Sequence, residues 1–73
     1  MKTTTPHEFG AFIRATRKSQ GLRQDELAGV AGVGTRFIVD LEAGKATAQL
    51  GKALQVLQAL GCQVELGPVA DEP

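Results

Sequence analysis

Four side chains stand at helical spacing in the middle of the chain: Thr35, Arg36, Val39 and Asp40. Positions 35, 36, 39 and 40 fall on one stripe of an α-helix. The stripe carries a hydroxyl, a guanidinium fork, a branched apolar group and a carboxylate. These groups hydrogen-bond and pack; none is an obvious nucleophile. Reading base edges is chemistry of this kind. An Arg can bridge O6 and N7 of a guanine, a Thr can bond a base or a phosphate, a Val can pack on a thymine methyl, and an Asp can accept from cytosine N4. Asp40 has a second option, restraining Arg36 at i, i+4. Catalytic alternatives find little support. There is one His, His7, and one Cys, Cys62, with no metal-ligand spacing around either. Gly29, Gly32 and Gly34 look superficially like a phosphate loop, but no strand precedes them. An enzyme is not expected, and no cofactor or metal is implied.

The stripe needs a scaffold, and the stretch QDELAGVAGVGTRFIVDLEAG (24–44) supplies it. Leu27, Val30 and Ala31 at i, i+3, i+4 predict a first helix with a buried face. Ala28 is small where a second helix crosses closely. Gly32 stands where the chain must reverse, and glycine takes positive φ without strain. Val33 plugs the corner. Ile38 and Leu41 give the second helix its apolar side, Phe37 is half-buried, and Gly44 ends it. Two helices joined by a short Gly-containing turn form a helix-turn-helix, whose second helix enters the DNA major groove. A plain helical bundle with a glycine turn is the bland alternative.

Counting from Gln24, Ala is fifth, Gly ninth and the β-branched Ile38 fifteenth. This pattern, flanked by LRQDELA and DLEAGK, resembles the Cro/repressor-like (XRE-type) family. The resemblance implies that Thr35, Arg36, Val39 and Asp40 touch base edges, with Phe37 beside them. It also implies that Gln24, at a helix N-terminus where free N–H groups favour an anion, reaches the phosphate backbone. Arg23 and Lys45 flank the motif as phosphate contacts. Arg17 and Glu42 occupy positions that carry a partly buried ion pair in that family. Gly34 replaces the Ser common there, so capping of the second motif helix falls to Thr35 or the backbone.

The flanking sequence predicts two more helices. Thr5-Pro6-His7-Glu8 reads as N-cap, N1 proline and capping-box Glu, opening a helix to about Gln20 with Phe9, Phe12, Ile13 and Thr16 inward. Thr47 is expected to cap a last helix over about 48–60, with Leu50, Leu54, Leu57 and Leu60 inward beside Ala53. Cys62, Val64 and Leu66 then alternate with Gln63 and Glu65 as one short strand. A lone strand leaves its backbone groups unpaired, so it is expected to pair antiparallel with a second copy. The fold class expected is mainly α: a four-helix repressor-like domain over 6–66 with a short C-terminal strand pairing across a homodimer. Residues 1–5 are expected to be disordered and 67–73 a flexible tail.

Length and charge bound the partners. A chain of 73 residues allows one small domain, marginal alone. The formal net charge is zero, but Arg14, Arg17, Lys18 and Arg23 cluster before the motif, and local clustering matters more for phosphates than the total. The single Cys62 allows no internal disulfide, which suits a reducing cytoplasm. No apolar run approaches the roughly 20 residues of a membrane span, and MKTTTPHEF lacks the apolar core of a signal peptide.

Within the family, GVGTRFIVDLEAGKATAQLGKALQVLQALG followed by QVEL is similar to HipB-type antitoxins. That subgroup implies a four-helical dimer that represses its own operon and binds a HipA-type serine/threonine kinase toxin. The tail VADEP has no aromatic anchor and is assigned no toxin-docking role. The expectation is therefore a transcriptional repressor on a palindromic double-stranded operator, serving as such an antitoxin. A stand-alone regulator and a protein-binding adaptor are the alternatives.

Overall fold

A computed structural model describes residues 5–65, 67 and 68. Four helices follow in order: α1 (Pro6–Ser19), α2 (Gln24–Ala31), α3 (Thr35–Glu42) and α4 (Leu50–Ala59). α1 starts as its sequence requires. Thr5 is extended at the N-cap, Pro6 takes N1, and the Glu8 amide donates to Thr5 Oγ1 at 3.1 Å. All four helices close alike: the amide just past a glycine donates back to a carbonyl five residues earlier, in α2 from Val33 to Ala28 at 3.0 Å. The other pairs are Leu22 to Arg17 at 3.2 Å, Lys45 to Asp40 at 3.0 Å and Cys62 to Leu57 at 2.9 Å. Orphan carbonyls of each last turn are thereby satisfied.

α2 packs on α3 and α4, while α1 packs on α3. The core between them comprises Ile13, Leu27, Ala28, Ala31, Ile38, Leu41, Ala53, Val56, Leu57 and Leu60. The turn between α2 and α3 hinges on Gly32 at φ 74°. There a side chain would press its Cβ toward the following carbonyl. Gly10 does different work. A Cβ on it would lie 2.7 Å from the Glu42 carbonyl oxygen and would also strike that of Leu41. α1 therefore meets the C-terminal turn of α3 backbone to backbone.

Expectations about two helix faces and one helix start need correction. Val30 is 67% exposed: α2 buries Leu27, Ala28 and Ala31, and Val30 points away. α4 starts at Leu50 with Gln49 as N-cap, not at 48 with Thr47. Its inward stripe is Ala53, Val56, Leu57 and Leu60, whereas Leu50 is 72% and Leu54 40% exposed. Val56 wins because it lies about 160° around the helix from Leu54, on the side facing α2. Leu50 overhangs the core from the first turn.

Residues 62–65 pair with no neighbour as a strand in the single chain. Cys62 is half-buried against the core and tied to α4 through its amide, while Val64 is exposed. Leu66, the proposed disorder of residues 1–4 and most of the proposed tail, 69–73, lie outside the described residues. No helix among the described residues is long and apolar enough to cross a membrane.

Candidate nucleic-acid interface

α3 is eight residues long, and its orientation is set by what lies beneath it. Ile38 and Leu41 anchor one side in the core, and Glu42 at its last turn is buried. Glu42 receives Arg17 from α1 through two bonds, Nε to Oε2 at 2.7 Å and Nη2 to Oε1 at 3.1 Å. The third arm of Arg17, Nη1, donates to the Leu22 carbonyl at 2.7 Å. Gln24, at the start of α2, adds its own Nε2 to Glu42 Oε1 at 3.1 Å. One carboxylate thus ties together α1, the α1–α2 connection, the start of α2 and the end of α3. The hydrogen bonds it donates to Glu42 hold the Arg17 guanidinium above its ordinary pKa, against the opposing effect of burial. Among the described residues no buried side-chain nitrogen or oxygen lacks a partner.

The opposite side of α3 faces solvent. Thr35 and Arg36 are exposed, and Val39 and Asp40 are half-buried. Gly34 is the N-cap and no side chain caps the helix, so capping has fallen to the backbone and Thr35 occupies the first helical position. The Arg36 side chain is 83% exposed and its Nε lies 3.2 Å from Asp40 Oδ1. Lys45 Nζ lies 3.6 Å from Asp40 Oδ2. The four stripe residues and Lys45 therefore form one surface, with a carboxylate between two cations. Phe37 is half-buried at its edge, with Lys52 Nζ 5.9 Å from the ring centroid.

Other sequence-derived candidates are placed differently. Gln24 is half-buried and engages Glu42 internally, leaving its second amide hydrogen. Arg23 is exposed and pairs with its own neighbours, Nε to Asp25 Oδ1 at 3.0 Å and Nη1 to Glu26 Oε2 at 3.7 Å. The hydrogen bond from Arg23 holds the Asp25 carboxyl below its ordinary range. Arg17 leaves the basic cluster altogether, being buried, while Arg14 and Lys18 remain exposed on α1. No three His, Cys, Asp or Glu side chains converge as a metal site among the described residues.

Several contributors were not singled out from the sequence. Gln55 Nε2 donates to the Ala31 carbonyl at 3.3 Å, holding the end of α2 against α4. Gln20 Nε2 donates to the Leu60 carbonyl at 2.8 Å, linking the ends of α1 and α4. A Gln carries no signal of a distant carbonyl partner. The double engagement of Asp40 was half legible: its i, i+4 spacing from Arg36 was visible, but not the turn after Gly44 that brings Lys45 back.

A protein-family model described as helix-turn-helix matches residues 13–66. A protein of Sinorhizobium fredii (strain NBRC 101917 / NGR234), named as the uncharacterized HTH-type transcriptional regulator y4mF, is 71% identical over 62 residues, covering 85% of this chain and 82% of its own. Among solved structures, one described as a HipA-HipB-O2-O3 complex superposes with TM-score 0.86 at 23% identity, covering 96% of this chain and 99% of that one. A HipB-O4 20mer complex matches with the same score, identity and coverage. At that identity the likeness is one of fold.

Proposed function

Because the chain belongs to the helix-turn-helix family, whose members are DNA-binding transcriptional regulators and not enzymes, we propose that it is a sequence-specific repressor whose α3 reads the major groove as part of a homodimer on a palindromic operator. The observation that carries this reading is the two-sidedness of α3. Its inner side is locked by a buried carboxylate network, and its outer side offers Thr35, Arg36, Val39 and Asp40 to solvent. A helix anchored on one side, with an exposed guanidinium among hydrogen-bonding and apolar groups on the other, is what base readout needs.

Support for a homodimer comes from the other end of the molecule. Leu54 and Val64 are exposed beside an open groove of about 590 Å³ that also involves Leu57, Cys62 and Gln63. Pairing of residues 63–65 with the same segment of a second copy would give their backbone groups partners and cover that groove, with Cys62 and Val64 at the contact. The fold likeness to HipB supports a finer role: an antitoxin that binds a HipA-type kinase toxin and represses the operon encoding both. The relative named as a transcriptional regulator supports a stand-alone regulator as the second reading. Co-purification of the chain with the product of its adjacent reading frame separates the two.

The test of the DNA role is selection from a randomised duplex pool, followed by footprinting. Two symmetric half-sites with centres about 34–36 Å apart, or a multiple, are expected. A single unsymmetric site bound by a monomer refutes the dimer. The variant Leu54→Lys/Val64→Lys is expected to be monomeric by light scattering and to bind the selected duplex much more weakly; a full dimer would place the interface elsewhere.

A further inference from the structure

Asp40 is out of place on a face meant for DNA. A carboxylate there repels phosphates, and none of the core requires it. Yet its side chain is only 23% exposed, whereas those of its two partners, Arg36 and Lys45, are 83% and 56% exposed. Each of its oxygens engages a different cation, Oδ1 the Arg36 guanidinium at 3.2 Å and Oδ2 the Lys45 ammonium at 3.6 Å. The two cations arrive from different places, one from the preceding turn of α3 and the other from the chain just beyond it. The Lys45 amide also donates to the Asp40 carbonyl at 3.0 Å, so Lys45 is held at both its backbone and its side chain.

Resting on the DNA-binding reading above, we propose that Asp40 is a specificity-determining residue: its carboxylate clamps Arg36 and Lys45 together, suppressing their indiscriminate attraction to phosphates and releasing Arg36 only to a base edge that offers two acceptors. Affinity for any duplex is set mainly by phosphate neutralisation and is salt-dependent. Two unrestrained cations on this face would bind every sequence better. With the clamp, each cation must exchange a carboxylate partner for a nucleic-acid one. A lone phosphate repays that exchange poorly, because the freed carboxylate is left facing it. A guanine presenting O6 and N7 to the planar fork repays it in full. Specificity thus arises by penalising the wrong partner as well as rewarding the right one.

The test is Asp40→Asn in the full chain, with thermal melting to verify folding. Binding is measured to a duplex selected from a random pool by the wild type and to a scrambled duplex of equal composition, across a salt series. The clamp predicts that affinity for the scrambled duplex rises roughly three- to tenfold, with a steeper salt dependence. Affinity for the selected duplex should rise less or fall, so the ratio between the two drops. If Asp40→Asn raises both affinities equally and keeps the ratio, Asp40 is only a repulsive charge and the inference is overturned. If the loss appears solely at one C·G pair, Asp40 reads cytosine directly, which also overturns the clamp. Absence of duplex binding by the wild type would instead defeat the DNA reading itself, and the inference with it.

Discussion

Removing the Glu42 carboxylate should strongly destabilise the fold. In Glu42→Ala, Arg17 loses its Nε and Nη2 partners and keeps only the Leu22 carbonyl, while Gln24 loses its own acceptor. A buried guanidinium is then left unpaired. Breaking a buried pair on one side costs about 3–5 kcal/mol. A domain of 73 residues has roughly 4–11 kcal/mol in total, so the loss takes from about a quarter to all of the stability. Glu42→Gln keeps the shape and one acceptor and should cost less, about 1.5–3 kcal/mol. Arg17→Met with Glu42→Leu removes both charges and should be close to neutral, since the desolvation cost disappears with the pair. Urea unfolding followed by circular dichroism, at one fixed protein concentration because a dimer makes stability concentration-dependent, gives all three. The midpoint should fall at constant slope. A Glu42→Ala loss below about 1 kcal/mol would be that of an exposed pair and would rule out a structural role for the buried network. So would a double variant as unstable as the single one.

Two further substitutions probe the packing. Gly10→Ala should cost about 1–3 kcal/mol, because the atoms its Cβ would strike are backbone carbonyls of α3 that cannot swing aside; a neutral result in urea unfolding would mean that α1 slides freely. Val30→Lys should stay within about 0.5 kcal/mol of wild type, since Val30 is exposed on α2; a large loss by the same measurement would place Val30 in a buried interface.

The sequence made the helix-turn-helix legible because its constraints are local. Gly32 must reverse the chain, Ala28 must be small, and Ile38 and Leu41 must point inward; each can be read from spacing alone. The cap of α1 was equally local, with Thr5, Pro6 and Glu8 in consecutive roles. Exposure of Val30, Leu50 and Leu54 was not legible, because hydrophobicity tells which residues prefer burial and not where the neighbouring helix ends. α2 has only eight residues, too few for its period to separate Leu27–Ala28–Ala31 from Leu27–Val30–Ala31. Gly10 was invisible for the opposite reason: a mid-helix glycine is locally unfavourable, and only the approach of the α3 carbonyls explains it. At the site, the outward stripe was readable from helical geometry, while the internal engagement of Gln24 and the Lys45 arm of the Asp40 clamp depend on tertiary placement.

Base reading by α3 through Arg36 is open to a direct test. Binding of the wild type and Arg36→Ala to the selected duplex, and to every single base-pair substitution of it, tests this most directly. Arg36→Ala should lose about 1–3 kcal/mol on the selected duplex, with preference flattened at one G·C pair in each half-site and retained elsewhere. Equal weakening on every sequence, with all preferences intact, would make Arg36 a phosphate contact and contradict the claim.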